Sequence, residues 1–520
     1  MFILNEKEDK GIKKVSDNAK GYIENSKPIG DDVPLTESLA ENMANIRHYL
    51  KDTADFISKP VLVCGLEVQI ITFEGMVSTQ NMGNVLLKPL LGLSLPNPTP
   101  KSLLYWIRNE AVLAPEQKEA KTLGVLFRAL MSGFVAVLID GVDVAIIAGI
   151  QGFASRSVSE PDSEVNVRGA REGFVEVIRT NMALIRRRIK SSRLVFEFMN
   201  VGETSKTDLC LCYLSNMVSP EVLNDVRRRI ALIDLDLVLD SGYIQPFLDT
   251  DIPSVFSNVG VTERPDTSCA KISEGRVVVL VDGTPFALIV PYLFNENFQT
   301  LDDYSHRPFY ASFIRIMKYF AFFLTILLPG VYVAVVTFHP ELLPEALLFN
   351  IAASEETTPF PLMFGALLIH FLYELMREAG LRLPRSIGHA VGIVGGLVIG
   401  DAAVTAGLIG APMVMIVALT AISSFVVPSL YEPVTILRFV IIVVGGVAGL
   451  YGITLVLCAV FVNLCALSAY GIPATAPATP VKLFDQRDVF IRTSWKTLGK
   501  RELKVQDLPG SELDDKGAGV

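Results

Sequence analysis

The chain lacks the familiar signatures of catalysis. It has no G-x-x-x-x-G-K-[ST] phosphate loop, no G-x-S-x-G nucleophile elbow and no H-E-x-x-H zinc motif. Its five histidines (48, 306, 339, 370 and 389) are scattered. These gaps predict neither an enzyme nor a bound cofactor. Cysteine is sparse too, six residues in 520, which argues against a disulfide framework. Cys210 and Cys212 form a C-x-C pair that would make half a metal site. In a strand, though, residues two apart share one face, and no second pair or nearby histidine completes four ligands. Ordinary packing in a reducing, cytoplasmic setting is the simpler reading. No apolar run opens the chain, since Met1 to Val33 is polar and charged, so no secretory signal is expected. The net charge of −9 argues against a nucleic-acid partner.

Charge itself is scarce. Only 19% of residues are charged against 50% hydrophobic, and the mean hydropathy is +0.42, so part of the chain belongs in lipid. The deficit is local: the first 310 residues carry charge at ordinary density, whereas Phe439 to Val481 contains no Asp, Glu, Lys or Arg. Tyr319 to Phe338 is uncharged and long enough to cross about 30 Å of hydrocarbon as a helix. Arg307, Arg315 and Lys318 precede it, and Glu341, Glu345, Glu355 and Glu356 follow. The positive-inside rule therefore places the N-terminal region in the cytoplasm and the acidic segment outside. Further apolar segments run from Pro359 to Tyr373, Ser386 to Ile409, Ala411 to Tyr431 and Phe439 to about Tyr470. The basic tail, with Lys482, Arg487, Arg492 and Lys496, also favours the cytoplasm. Five crossings would separate the two ends, so one segment is expected to be re-entrant or in-plane, the short Pro359–Tyr373 piece first among them.

The N-terminal region reads as a duplication. Gly133 to Gly141 (GFVAVLIDG) and Gly275 to Gly283 (GRVVVLVDG) are each a β-branched run closed by an Asp-Gly turn, and each continues into a second apolar run. That is a hairpin pattern. Asp140 and Asp282 are turn residues before they are catalytic candidates. Helix starts near Ser78 and Ser219 repeat the spacing at about 141 residues. Two α/β units over roughly 57–150 and 193–295 follow. Between them, Gly173 to Ser191 has apolar residues at helical spacing, with Arg186, Arg187, Arg188 and Lys190 at its C-terminal end. The cluster reads as a solvated helix end, or as a surface for anionic lipid or an acidic neighbour.

The predicted fold class is an α+β cytoplasmic domain with duplicated α/β subdomains, followed by an α-helical transmembrane bundle. The expected divisions are a disordered tail (1–35), a first α/β subdomain (36–155), a basic linker helix (156–192), a second α/β subdomain (193–310), a transmembrane domain (311–480) and a cytoplasmic C-terminal tail (481–520). Within the span from Ser386 to Ile409, Gly388, Gly392, Gly396 and Gly400 fall four apart, a small-residue face for close helix packing. Val391, Val394, Val398 and Asp401 lie on another stripe. A β-branched row ending in a carboxylate suits a pore with a dry constriction beside a ring of charge. The bland alternative has Asp401 snorkelling to the interface while the valines face lipid.

Three stretches carry a family resemblance: Glu374 to Gly388, Val391 to Val404 and Ala421 to Pro428. They resemble the A subunits of spore germinant receptors, as do the Gly275–Phe294 hairpin and the Gly173–Ile189 helix, over roughly residues 40–480. Asp401 departs from the family pattern, where a Gln is expected, and Gly365 stands near an expected Glu. The resemblance implies a multi-pass subunit in the spore inner membrane. It implies partners as well: a transporter-like B subunit that senses nutrient, a lipoprotein C subunit, and copies of the chain itself in a homo-oligomer, a pentamer, forming a cation channel. A secondary transporter or a scaffold subunit without a pore of its own remains the alternative. A transporter, however, usually repeats its membrane halves, whereas here the repeat is in the N-terminal region.

Overall fold

A computed structural model of the chain describes residues 33–51, 53–109, 117–150, 168–383, 400–481, 485–498 and 504–513, with isolated positions 152, 161, 163, 164 and 166. Most of the tail expected over 1–35 lies outside the described residues. Residues 33–35 do not behave as a tail: Leu35 N donates to Lys121 O at 2.9 Å, Leu123 N donates to Val33 O at 3.0 Å, and Leu35 is buried.

The first unit opens on α1 (Leu39–Leu50), capped by Ser38, whose hydroxyl accepts from Glu41 N at 3.3 Å. It continues with β1 (Phe56–Val63), β2 (Leu66–Phe73), α2 (Pro100–Asn109), β3 (Gln117–Ala120), α3 (Leu123–Leu130), β4 (Val135–Ile139) and β5 (Ala145–Ala148). The second unit runs α4 (Ile178–Arg188), β6 (Leu194–Val201), β7 (Thr207–Leu214), α5 (Pro220–Ala231), β8 (Gly260–Thr262), α6 (Pro265–Ser273), β9 (Val277–Val281) and β10 (Ala287–Val290). The sheet orders are β1-β2-β4-β5-β3 and β6-β7-β9-β10-β8, one topology used twice. The Asp-Gly hairpins are β4–β5 and β9–β10.

The central strands are apolar at every position because both sheet faces are covered. Val135, Val137 and Ile139 face one core and Ala136 and Leu138 another. Val277, Val279 and Val281 divide from Val278 and Leu280 in the same way. The Asp-Gly turns also tie each hairpin to the first helix of its unit. Asp140 Oδ1 accepts from Leu39 N at 3.1 Å, and Asp282 Oδ1 accepts from Ile178 N at 3.0 Å. Both aspartates thus satisfy an amide that a helix start leaves open. Asn42 and Asn181 repeat a second detail, each bracing the strand-like segment before its helix.

Two expectations about Gly173–Ser191 change. Helix α4 is no linker, since it holds in the second unit the place α1 holds in the first. Nor is its basic end simply solvated: Lys190 is exposed, but the three arginines are engaged. Arg186 is 1% exposed and bolts the two units together, its Nε donating to Asp55 Oδ2 at 2.7 Å and its Nη2 to Asp55 Oδ1 at 2.8 Å. Its guanidinium lies 4.6 Å from the Phe73 ring and 4.8 Å from that of Phe196. Arg187 and Arg188 both hold Glu172. Cys210 and Cys212 pack in the core of the second unit, Sγ to Sγ 3.9 Å.

The apolar half comprises α7 (Pro308–Phe338), α8 (Glu345–Glu356), α9 (Leu362–Arg382), α10 (Ala411–Ser424) and α11 (Tyr431–Ala466). Among the described residues, α7 and the stretch Pro428–Ala466 are long and apolar enough to cross a membrane. The second of these is not straight. Gly449 has φ +61° and ψ −152°, backbone that suits glycine alone. A straight helix would separate Leu437 from Leu464 by roughly 40 Å, yet both line one cleft with Phe322. The chain therefore reverses at Gly449, with 431–448 leading away from the second α/β unit and 450–466 returning. The piece expected to be re-entrant or in-plane, Pro359–Tyr373, lies largely in the regular helix α9. The hairpin meets α7 closely: a Cβ on Gly445 would lie 2.6 Å from Gly330 O, so only glycine fits there.

After α11, Ala469, Tyr470, Val505 and Leu513 pack back on the second unit. Ala469 and Tyr470 enter its core, Tyr470 Oη donates to Leu248 O at 2.8 Å, and Val505 N donates to Glu274 O at 2.8 Å.

Candidate functional site: buried charge among the apolar helices

Of the residues expected at a pore or packing face, Val391, Val394, Val398, Gly388, Gly392 and Gly396 lie outside the described residues. Gly400 and Asp401 are described, in a helical stretch over 400–405. Gly400 is buried, and a Cβ there would sit 3.5 Å from Val414 Cγ1, an ordinary contact with α10. Asp401 is exposed on this single chain. The strand of chain that follows reaches the end of the bundle farthest from the α/β units. There Gly407 approaches Thr357 O and Gly410 approaches the Glu355 carboxylate. Glu341, Glu345 and Glu356 are exposed at that end.

A second set of charges was not singled out from the sequence. Glu374 on α9 accepts from three donors. Arg438 on leg 431–448 donates through Nη2 to Oε1, Tyr431 donates its hydroxyl to Oε2, and Arg377 Nε donates to Oε2 at 3.1 Å. The Arg377 guanidinium stacks 3.7 Å from the Tyr431 ring. Arg438 is fully buried, with Tyr373 and Phe439 rings at 6.0 and 5.9 Å. His370, one turn before Glu374, is fully buried with neither ring nitrogen hydrogen-bonded. Helical geometry explains the gathering: His370, Glu374 and Arg377 are spaced four and three apart, so they share a face of α9. One carboxylate and two guanidiniums leave a net positive charge inside apolar packing. Such groups are costly there and are kept where they do work. The signal in the sequence was a lone Arg438 between Val-Thr-Ile-Leu and Phe-Val-Ile-Ile; starting the apolar segment at Phe439 stepped over it.

A third network anchors the base of α7. Arg315 binds Asp303 (3.0 Å) and Asp488 (2.8 Å), Lys318 binds Asp303 (3.1 Å), and Tyr304 Oη donates to Asp488 Oδ2 at 2.8 Å. Burial pushes the Asp488 carboxyl above the usual range although Arg315 and Tyr304 pull it down. The α/β exit, the first apolar helix and the C-terminal segment are thereby locked at one place. Among the described residues, no group of three or more His, Cys, Asp or Glu is arranged to hold a metal.

Comparison with known proteins is consistent along nearly the whole chain. The profile of the Bacillus/Clostridium GerA spore germination protein matches residues 44–503. Spore germination protein KA of Bacillus subtilis (strain 168) is 38% identical over 479 residues, covering 91% of this chain and 88% of that one. Spore germination protein GerLA of Bacillus cereus is 33% identical, covering 92% and 98%. An uncharacterized membrane protein of Bacillus subtilis (strain 168), YfkQ, is 35% identical, covering 90% and 92%. Among solved structures, the N-terminal domain of the A subunit of the Bacillus megaterium spore germinant receptor GerK3 is 28% identical. It covers 50% of this chain and 97% of that domain, with a TM-score of 0.39.

Proposed function

The chain belongs to the Bacillus/Clostridium GerA family of spore germination proteins, and from that membership we propose that it is the A subunit of a germinant receptor whose copies surround a cation-conducting pore. The observation that carries the reading is the match to spore germination proteins over about nine-tenths of the chain. Two apolar helices support a membrane protein with an N-terminal domain. In our reading the bundle is multi-pass, the α/β units and residues 468–513 are cytoplasmic, and the membrane is the spore inner membrane. Each leg of the Gly449 hairpin, at about 1.5 Å per residue, has a length close to the hydrocarbon thickness.

Val391, Val394 and Val398 form the dry gate of this pore, Asp401 the charge ring beside it, and Gly388, Gly392, Gly396 and Gly400 the packing face. Support comes from Asp401, an exposed acid that a single chain leaves free to face copies of itself. The exposed glutamates at the far end would raise the local cation concentration further. The Glu374–Arg438 pair holds α9 to leg 431–448 and keeps the helices around the gate in one arrangement. A transporter-like B subunit and a lipoprotein C subunit are the partners, a pentamer is the assembly, and we assign no catalytic reaction. Single-channel recording of the purified chain in planar bilayers tests the reading. Unitary cation currents are expected; saturable solute uptake without unitary currents would indicate a transporter, and silence in both assays a scaffold.

A further inference from the structure

Where the second α/β unit meets the helices, a narrow cleft opens between α7 and the two legs of the Gly449 hairpin. Phe256 and Phe294 close its floor, Phe322 and Ile326 form one wall, and Leu437 and Leu457 stand on the opposing legs. Every lining side chain is apolar. Water entering it would find no hydrogen-bond partner, and cavities of this kind stay dry and accept apolar guests. Phe323 and Phe461, 39% and 48% exposed, stand at its edge. Beyond them Phe320 and Val462 continue an exposed apolar surface. One turn below Phe322, Lys318 begins the charged base of α7, so the cleft lies just on the apolar side of a polar layer.

We propose that this cleft binds one hydrocarbon chain of a membrane lipid, which enters from the bilayer past Phe323 and Phe461. The occupant is the chain rather than a headgroup, because no lining residue offers charge or a hydrogen bond. The cleft is continuous with the apolar outer surface of α7 and the return leg, where lipid tails would lie. A chain seated there packs against both legs at once, so it sets their separation and supports the hairpin from within. The inference rests on the helices being embedded in a bilayer.

The test uses the full chain reconstituted in phospholipid vesicles whose acyl chains carry a photoactivatable diazirine. Flotation with the vesicles comes first; failure to float would overturn the membrane reading itself. After illumination, adducts on Phe322, Ile326, Leu457 and Leu464 are expected several-fold above those on the outward Val440, Val443 and Val447. Leu457→Trp fills the cleft and should remove that excess while outward labelling persists. Val460→Phe, a milder filling, serves if Leu457→Trp fails to fold. Even labelling of all exposed faces, or an excess unchanged in both folded variants, would overturn the proposal.

Discussion

The two α/β units share a strand order and an aspartate that ties hairpin to helix, yet they are not interchangeable. The second contains a buried clamp. Glu296 accepts from Lys271 Nζ at 2.6 Å, from Arg276 and from Leu293 N at 2.9 Å. At the matching places on α3 and before β4 the first unit has Ala129 and Phe134. The clamp fastens the second unit to the turn Phe294–Phe298, which leads into α7, and Ala469, Tyr470 and Leu513 pack on that unit too. One copy of the repeat has become the mount for the helices, while the other is joined to its twin through Arg186 and α4. Duplication supplied the scaffold, and buried charge divided the roles.

Glu296→Ala should have the largest effect, because it leaves two buried cations, Arg276 and Lys271, to share the single carboxylate of Glu274. A loss of about 3–5 kcal/mol is expected. Hydrogen exchange should rise across β9, β10 and the base of α7 while β1 to β5 keep their protection. Arg186→Met should cost about 3 kcal/mol by leaving Asp55 unpaired, with the reverse pattern: limited proteolysis should release the first unit and spare the second. Adding Asp55→Leu should restore most of the loss, and failure to do so would mean Arg186 matters for shape rather than charge. Asp140→Ala and Asp282→Ala should each cost about 1–2 kcal/mol, the worth of a hydrogen bond to a charged acceptor. Exchange at the amides of Leu39 and Ile178 should rise in equal measure; a large inequality would break the symmetry argued for the two turns.

The smallest effect concerns pH. Burial, the largest influence, raises the Glu164 carboxyl from 4.5 to about 7, against lowering by Thr262 and Arg264. The folded chain therefore binds that proton more tightly than the unfolded one. The stability it contributes is full below 4.5 and lost as pH rises through about 7. Glu164→Gln should flatten the dependence of Tm on pH across that window. Parallel profiles for variant and wild type would show that Glu164 titrates normally.

Legibility followed the range of the interaction. The Asp-Gly hairpins were visible because turn and strands lie within a few residues, and two copies reinforced each other. Arg186 was misread because Asp55 is far off in the chain and a run of three arginines resembles a solvated helix end. The reversal at Gly449 was hidden because an unbroken apolar run has neither period nor charge to mark a turn. Gly445, Gly446, Gly449 and Gly452 cluster there, and nothing local tells which one bends. The Glu374–Arg438 pairing joins helices far apart in the chain, and nothing local marks one charge as the partner of the other. The stripe Val391, Val394 and Val398 was read from spacing and stands as a proposal.

We propose a cation pore with Asp401 beside its gate. Its most direct test is the reversal potential of the purified chain in planar bilayers under a salt gradient, compared with Asp401→Asn. The wild type should reverse near the cation equilibrium potential and the variant should shift towards zero, because an amide dipole cannot replace a net charge on each copy. Channels that reverse at the same potential with and without Asp401→Asn would contradict the assignment.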